Sequence, residues 1–199
     1  MACVVYLHGF LSSPLSHKAQ VVKQWLAQQR PEIRFICPHL TPYPAHTADE
    51  LKALMEFLQP EPIWLMGSSL GGYWATWLAE QYNRPAVLIN PSVAPWQFMP
   101  EFLGIDLKSY HTDDSYRLTA AHIDEIKAVD VTPITRHDNF WLMVQTGDET
   151  LDYRQAVNAY QGCQQLVEPG GDHSFVDFER HLPDVIEFFQ AFEANPRAE

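Results

Sequence analysis

The chain has 199 residues, a length that suits one domain with a substantial core. Hydrophobic residues make up 46% of it and charged residues 19%, a balance that excludes an intrinsically disordered chain. The 25 acidic residues outnumber the 13 basic ones, for a net charge of −12, which argues against a surface for nucleic acid or for anionic membranes.

Targeting signals and cysteines indicate where the protein works. The sequence opens without the basic segment of a signal peptide, and no stretch approaches the roughly 18 apolar residues of a membrane span. Cys3, Cys37 and Cys163 are scattered and lack the spacing of a zinc site, so we interpret them as buried free thiols. We therefore expect a cytoplasmic protein that binds no metal, cofactor, nucleic acid or membrane.

Strands and helices are predicted to alternate along the chain. Short apolar runs predict strands at 2–8, 33–38, 62–67, 85–90, 139–145 and 163–169. Amphipathic stretches predict helices at 16–30, 47–59, 70–82, 152–161 and 183–192. Thr47 and Glu50, three residues apart, predict a capping box at the start of the second helix. Because the apolar runs are mostly continuous, we predict an α/β fold with a doubly wound, mainly parallel sheet of about six strands, covered by helices on both faces.

Residues 91–136 interrupt this alternation. They carry no strand signal, and they include the aromatic stretch APWQFMPEFLGI and a predicted helix, TAAHIDEIKAV. A connection of this length inside a compact α/β domain is usually functional. We therefore predict a single domain over 1–199, with a small helical cap inserted at about 91–136 and folded over the carboxyl ends of the strands.

The pentapeptide Gly67-Ser68-Ser69-Leu70-Gly71 matches the pattern G-x-S-x-G. It lies between a predicted strand and a predicted helix, which is the setting of a nucleophile elbow. The glycines suit so sharp a turn, since side chains there would collide with neighbouring elements. Ser69 would then lie at a helix N-terminus, where exposed N–H groups favour developing negative charge. The alternative interpretation is a glycine-rich turn whose serine only caps the helix.

A serine hydroxyl needs a base, and the base needs a carboxylate to orient it. His173 follows the last predicted strand, and Asp148 follows the strand before it, so the order along the chain is serine, acid, histidine. Glu149 and Asp152 compete with Asp148 because they lie in the same predicted loop. We predict Ser69, Asp148 and His173 as the catalytic residues.

The loop after the first strand, in YLHGFLSSP, is the candidate for an oxyanion hole. It leaves the carboxyl end of the first strand and the elbow leaves that of the third, where a doubly wound sheet reverses its order and opens a crevice. We predict that the backbone N–H groups of Phe10 and Leu70 form the hole. His8 is interpreted as fixing the shape of this loop.

Five segments together resemble the α/β-hydrolases, and within them the small bacterial YqiA-type esterases: YLHGFLSSP, MGSSLGGYWATWLAE, LINPSV, TGDETLDYRQA and GGDHSF. The resemblance extends over nearly the whole chain. It implies a serine esterase that acts on short acyl esters, or on acyl thioesters such as acyl-CoA. It also implies Ser69, Asp148 and His173 as the triad.

The aromatic side chains of the predicted cap could line an acyl pocket, with Trp96, Phe98 and Phe102 as candidate substrate-binding residues. They could equally dock the cap onto the core. The cap segment holds seven acidic residues against two lysines and two arginines, which disfavours the phosphates of an acyl-CoA. Simple esters are therefore the favoured substrates, and the alternatives are a thioesterase on the same triad or a non-catalytic binding module. A dinucleotide- or phosphate-binding protein is disfavoured because both glycine-rich phosphate motifs are missing.

Overall fold

The computed structural model describes residues 1–195. Its strands are β1 Cys3–Leu7, β2 Arg34–Ile36, β3 Ile63–Ser68, β4 Ala86–Ile89, β5 Asp106–Lys108, β6 Ser115–Arg117, β7 Phe140–Gln145 and β8 Gln164–Glu168. Its α-helices are α1 His17–Gln29, α2 Pro44–Leu58, α3 Leu70–Tyr82, α4 Ala120–Ala128, α5 Tyr153–Ala159 and α6 Leu182–Ala194. No helix within these residues combines the length and apolarity needed to cross a membrane.

Six of the strands form one parallel sheet in the order β2-β1-β3-β4-β7-β8. All six predicted strands are therefore confirmed, and so is the parallel, doubly wound arrangement. The chain moves outward from β1 to β2 and then returns to the other side of β1 to form β3. The sheet thus reverses its order between β1 and β3, which is where α/β sheets open a crevice at their carboxyl edge.

Both faces of the sheet are covered, as the continuous apolar runs predicted. Alternate residues of each strand point to opposite faces. On one face, Val5 and Leu65 pack in a core with Leu51 of α2 and Trp74 of α3. The core of the other face contains side chains from the remaining alternate strand positions and from α1 and α6, namely Val4, Met66, Val87, Val22, Leu26, Val185 and Phe189.

The second helix begins earlier than predicted, and the capping box at its start was wrong. The helix begins at Pro44, whose fixed φ angle suits the first helical position. Thr47 consequently lies inside the helix, and its hydroxyl donates to the carbonyl oxygen of Thr41 at 2.8 Å. A capping box forms instead at α4, where the N–H of Thr119 donates to Nδ1 of His122 at 3.0 Å.

The segment 91–136 is not purely helical, which corrects the prediction of a helical cap. It contains α4, two 3-10 turns (Pro95–Gln97 and Met99–Phe102) and the antiparallel hairpin β5–β6. Each hairpin strand has three residues, and Leu107 alone among the six is buried, so no apolar run could reveal them. The segment is anchored on the main body, since the hydroxyl of Tyr73 in α3 donates to the carbonyl of Ile126 at 2.7 Å.

The three cysteines are free thiols, as predicted, but the predicted burial holds for Cys3 alone. Cys3 is buried, and Cys37 and Cys163 are half-buried. Burial raises the pKa of Cys37 to about 12 and that of Cys163 to about 11, so both stay protonated at neutral pH.

Candidate active site

Ser69 lies on a sharp turn between β3 and α3. Its backbone has φ 55° and ψ −123°, a conformation that a non-glycine residue adopts only when its surroundings enforce it. Here they do, because the N–H of Ser69 donates to the carbonyl of Ile89 at 3.1 Å. The carbonyl of Ser69 in turn accepts from Gly72 at 2.9 Å and from Ser92 at 3.0 Å. The serine is thus fixed by backbone contacts on both sides.

The glycines of the G-x-S-x-G motif are required by close approach, as the sequence predicted. A Cβ atom on Gly67 would overlap the carbonyl group of Gly71. One on Gly71 would overlap the carbonyl group of Leu7, the last residue of β1. The motif therefore brings the start of α3 directly against the end of β1.

Asp148 and His173 are joined side chain to side chain. Nδ1 of His173 lies 2.8 Å from Oδ2 of Asp148, while the other carboxylate oxygen accepts from the N–H groups of Thr150 and Leu151, both at 2.9 Å. The Asp148 side chain is only 2% exposed, and burial alone would raise its pKa. The hydrogen bonds from His173 and from the two N–H groups outweigh burial and hold the pKa of Asp148 below its ordinary value.

The other two carboxylates of this loop have different partners. Glu149 accepts a hydrogen bond from the backbone N–H of His173 at 3.0 Å, and so contacts the main chain of that residue. Asp152 caps α5 by accepting from the N–H of Arg154 at 3.0 Å. Of the three, Asp148 is the one whose carboxylate holds the imidazole.

Ser69 and His173 line the same cavity, which has a volume of about 770 Å³. It opens at the carboxyl edge of the sheet, between the loops after β1, β3, β7 and β8 and the segment 91–136. The main chain of Gly9 runs close over the serine, since a Cβ atom on Gly9 would lie 3.3 Å from Cβ of Ser69.

Of the predicted oxyanion donors, Phe10 lies on the loop after β1 and lines this cavity, and Leu70 is the first residue of α3, directly after Ser69. Neither the N–H of Phe10 nor that of Leu70 donates to another backbone group among residues 1–195. Both are therefore free to bind a ligand oxygen.

His8 holds the first of these loops. Its Nε2 accepts the N–H of Leu40 at 2.9 Å, so the proton of the neutral ring lies on Nδ1, which donates to the carbonyl of Gly9 at 3.0 Å. The side chain is 2% exposed, and burial lowers its pKa to about 4. His8 is thus a neutral residue that fixes the shape of the loop, as interpreted from the sequence.

Two of the three candidate substrate-binding residues line the cavity. Phe98 and Phe102 lie there beside Phe10, with ring centroids 6.0 and 5.2 Å from that of Phe10. Trp96 does not join them, which corrects its assignment. Its ring packs edge to face against Tyr73 of α3 at 6.1 Å, so it docks the segment 91–136 onto the main body.

Two buried amides that sequence reasoning missed hold the loop of His173. Asn90, at the end of β4, donates through Nδ2 to the carbonyl groups of Asp172 (3.0 Å) and His173 (3.2 Å), and its Oδ1 accepts the N–H of Gln145. The Gln145 side chain, at the end of β7, bonds both the N–H and the carbonyl of Val176, at 2.8 and 3.0 Å. The one signal in the sequence that could have revealed them is their position, since each is a polar residue at the end of an apolar run.

Comparison with known proteins places these features in a wider group. The model of the family described as "Uncharacterised protein family (UPF0227)" matches residues 3–190. The UPF0227 protein YcfP of Salmonella arizonae is 24% identical over 192 residues, which cover 93% of this chain and 97% of that protein.

Solved structures show the same fold at low sequence identity. Est1E from Butyrivibrio proteoclasticus superposes with a TM-score of 0.69 and 14% identity, over 98% of this chain and 89% of Est1E. Mouse alpha/beta hydrolase domain-containing protein 10 gives a TM-score of 0.69 at 16% identity, over 96% and 90% of the two chains. The esterase domain of a Rhodothermus marinus protein gives a TM-score of 0.67 at 15% identity, over 97% of this chain and 87% of that domain. The fold is that of the α/β-hydrolases, which confirms the resemblance.

Proposed function

The chain belongs to the UPF0227 family, and from the site at the carboxyl edge of its sheet we propose that it is a serine hydrolase that cleaves carboxylic esters with short acyl chains. One observation carries the proposal above all. The buried Asp148 holds the imidazole of His173 at 2.8 Å, and that imidazole lines the same cavity as Ser69 on its strained turn. The alternative interpretation, a turn whose serine only caps a helix, does not account for the hydrogen-bonded pair of Asp148 and His173.

In the first half of the proposed reaction, Nε2 of His173 takes the proton of the Ser69 hydroxyl while Oγ attacks the ester carbonyl carbon. Asp148 keeps the proton of the neutral ring on Nδ1 and stabilises the imidazolium that forms. His173 then gives its proton to the leaving alcohol as the carbon–oxygen bond breaks. The acyl group is left on Ser69.

The second half repeats these proton transfers with water. His173 takes a proton from water, the hydroxide attacks the acyl carbon, and the proton returns to Oγ as Ser69 is released. In both halves the negatively charged carbonyl oxygen lies against the N–H groups of Phe10 and Leu70. The pair is well suited to this role because both groups are free and the bonds made by His8 keep the Phe10 loop in place.

The cavity favours a small ester over acyl-CoA. Its aromatic side chains, Phe10, Phe98 and Phe102, suit a short acyl group or a small alcohol. The several phosphates of coenzyme A call for several cationic partners, and Lys18 alone among the described lysines and arginines lines the cavity. The esterase fold neighbours support an ester substrate as well.

Labelling with a fluorophosphonate, followed by peptide mass spectrometry, tests this proposal. An activated serine displaces fluoride and keeps the phosphonyl group on Oγ, so we expect one adduct, on Ser69. His173→Ala should lose the adduct because no base then activates the hydroxyl. The neighbouring Ser68 supplies the control, since Ser68→Ala should still be labelled at Ser69 and Ser69→Ala should not be labelled at all.

Turnover of 4-nitrophenyl butyrate and of butyryl-CoA by the same variants completes the test. We expect the wild-type protein to hydrolyse the nitrophenyl ester. Ser69→Ala and His173→Ala should abolish this hydrolysis, and the circular dichroism spectra of both variants should remain native. A folded wild-type protein that is neither labelled nor active would contradict the proposal and favour a binding module. Faster hydrolysis of butyryl-CoA than of the ester would favour the thioesterase.

A further inference from the structure

The lining of the cavity is of two kinds. One part is aromatic and comes from Phe10 and from the segment 91–136. The other part is polar, and it includes Ser16, His17 and Lys18 at the start of α1. Lys18 is the one described lysine or arginine in the lining of a protein whose net charge is −12.

Lys18 is held beside the candidate base. Its Nζ donates to the carbonyl oxygen of Ser174 at 2.6 Å, and Ser174 follows His173 in the chain. An ammonium group has three N–H donors, and this contact uses one of them. The cation therefore lies beside the loop that carries His173, in the cavity that Ser69 also lines.

No carboxylate among residues 1–195 forms an ion pair with Lys18. Burial lowers the pKa of this lysine to about 8, and the more distant charges of Asp172 and Asp148 oppose that shift only in part. The position of Lys18 in the first turn of α1 also disfavours its positive charge, because the N-terminal end of a helix repels cations. A half-buried cation in such surroundings is stabilised by an anion that enters the cavity.

We propose that Lys18 recognises one anionic group of the substrate, so that the site prefers esters carrying a single carboxylate or comparable anion over neutral esters of the same size. This inference rests on the proposed ester hydrolysis and names its substrate class. Glu101 and Glu149 also line the cavity, so a substrate with several negative charges would be repelled. Because Lys18 contacts the residue after His173, one small molecule can carry both the anion and the reacting ester.

Pairs of esters that differ only in charge test the proposal. For an anion in the acyl part, the pair is the 4-nitrophenyl ester of adipic acid and that of its monomethyl ester. For an anion in the alcohol part, the pair is the butyrate of 3-hydroxybenzoic acid and that of its methyl ester. For each pair, the quantity measured is the ratio of kcat/KM for the anionic ester to kcat/KM for the neutral one.

We expect Lys18→Gln to lower this ratio about 10-fold or more for at least one of the two pairs, because a charge-assisted contact is lost. The affected pair then tells which side of the ester bond carries the anion. Lys18→Arg, which keeps the charge, should restore part of the ratio. Lys23→Gln is the matched control, because Lys23 is exposed on the same helix and does not line the cavity.

An equal loss of kcat/KM for both members of each pair would overturn the inference and leave Lys18 as a support for the Ser174 loop. Unchanged kcat/KM values for both members of each pair in Lys18→Gln would overturn it as well. Either result leaves the proposed hydrolase intact, since the wild-type protein still turns over esters.

A binding measurement decides the question even if the wild-type protein hydrolyses none of these esters. Calorimetric titration of Ser69→Ala with monomethyl adipate and with dimethyl adipate compares an anionic and a neutral ligand without chemistry. Weaker binding of monomethyl adipate after adding Lys18→Gln, by about 10-fold, would support the inference. Equal binding of monomethyl adipate with and without the lysine would contradict it.

Discussion

At the scale of single residues, contacts separate the roles of three carboxylates that lie between residues 148 and 152. Asp148 is buried and bonds the His173 ring, Glu149 accepts the main-chain N–H of His173, and Asp152 caps α5. Sequence reasoning favoured Asp148 by its place directly after the strand. It could not distinguish the three by contact, because a difference of one residue in a loop changes where a side chain points.

Asp148→Asn should therefore lower kcat for a 4-nitrophenyl ester far more than Asp152→Asn. An amide can donate to Nδ1 and hold the ring in the wrong tautomer, and we expect a loss of about 10²–10⁴-fold. Asp152→Asn keeps a capping side chain and should stay within about 2-fold of the wild type. Steady-state kinetics of the two variants, with fluorophosphonate labelling of Ser69 as a second readout, measure the difference. The reverse order of effects would assign the orienting carboxylate to Asp152.

At the scale of elements, the turns at the carboxyl edge of the sheet share an unusual backbone. Five non-glycine residues in the loops that follow the strands have positive φ, namely Leu11, Ser69, Asn90, Phe175 and Asp177, with values of 54°, 55°, 41°, 60° and 56°. Such conformations persist only where neighbouring contacts enforce them. The strain is thus concentrated in the loops that carry the proposed catalytic groups, and buried amides such as Asn90 hold these loops together.

Asn90→Ala should lower kcat about 10- to 100-fold, because the loop that carries His173 loses two of its hydrogen bonds and the imidazole moves from its place. It should also lower the free energy of unfolding by about 1–3 kcal/mol, since buried partners are left unbonded. Ester hydrolysis and urea unfolding measure the two effects.

Asn139 is the matched control for this variant. It is equally buried but lies at the amino edge of the sheet, where it bonds Oδ1 of Asn83 at 3.0 Å. Asn139→Ala should lose a similar stability and keep its kcat. If both variants lose stability and activity in proportion, the role of Asn90 is general support and not the placement of His173.

The elements differ in how far sequence could predict them. The six sheet strands and α3 were predictable because continuous apolar runs and the G-x-S-x-G motif are local signals. The hairpin β5–β6 was not, since its short strands have no apolar run and are held by contacts with the main body, such as those of Tyr116 with His39 and of Arg117 with Tyr43. The roles of Asn90 and Gln145 were equally hidden, because their partners lie up to 83 residues away in the chain.

At the scale of the whole molecule, stability should fall in mild acid because of His8. Its pKa is about 4 in the folded protein, against an ordinary value of 6.5, and burial is the main cause. Between these two pH values the unfolded chain binds more protons than the folded one, so stability rises with pH and is fully present above about 6.5. The stabilisation lost between pH 6.5 and pH 4 is about 3 kcal/mol.

Urea unfolding of the wild type, His8→Gln and His46→Gln at a series of pH values measures this contribution. The slope of stability against pH should be smaller in His8→Gln, whose side chain can accept the N–H of Leu40 without titrating. His46 is exposed, so His46→Gln should keep the slope of the wild type. Equal slopes in all three proteins would show that His8 binds its proton in the folded state as readily as in the unfolded one.

The separation in sequence between Ser69 and His173 has a consequence for biosynthesis. The histidine follows the serine by 104 residues, and β8, which leads into its loop, is an edge strand that pairs with β7. On the ribosome, β1, β3 and the turn of Ser69 emerge long before the residue proposed to activate the hydroxyl. A nascent chain would therefore carry the serine for most of its synthesis without reacting with cellular esters. Hydrolytic reactivity would be the last property the protein acquires.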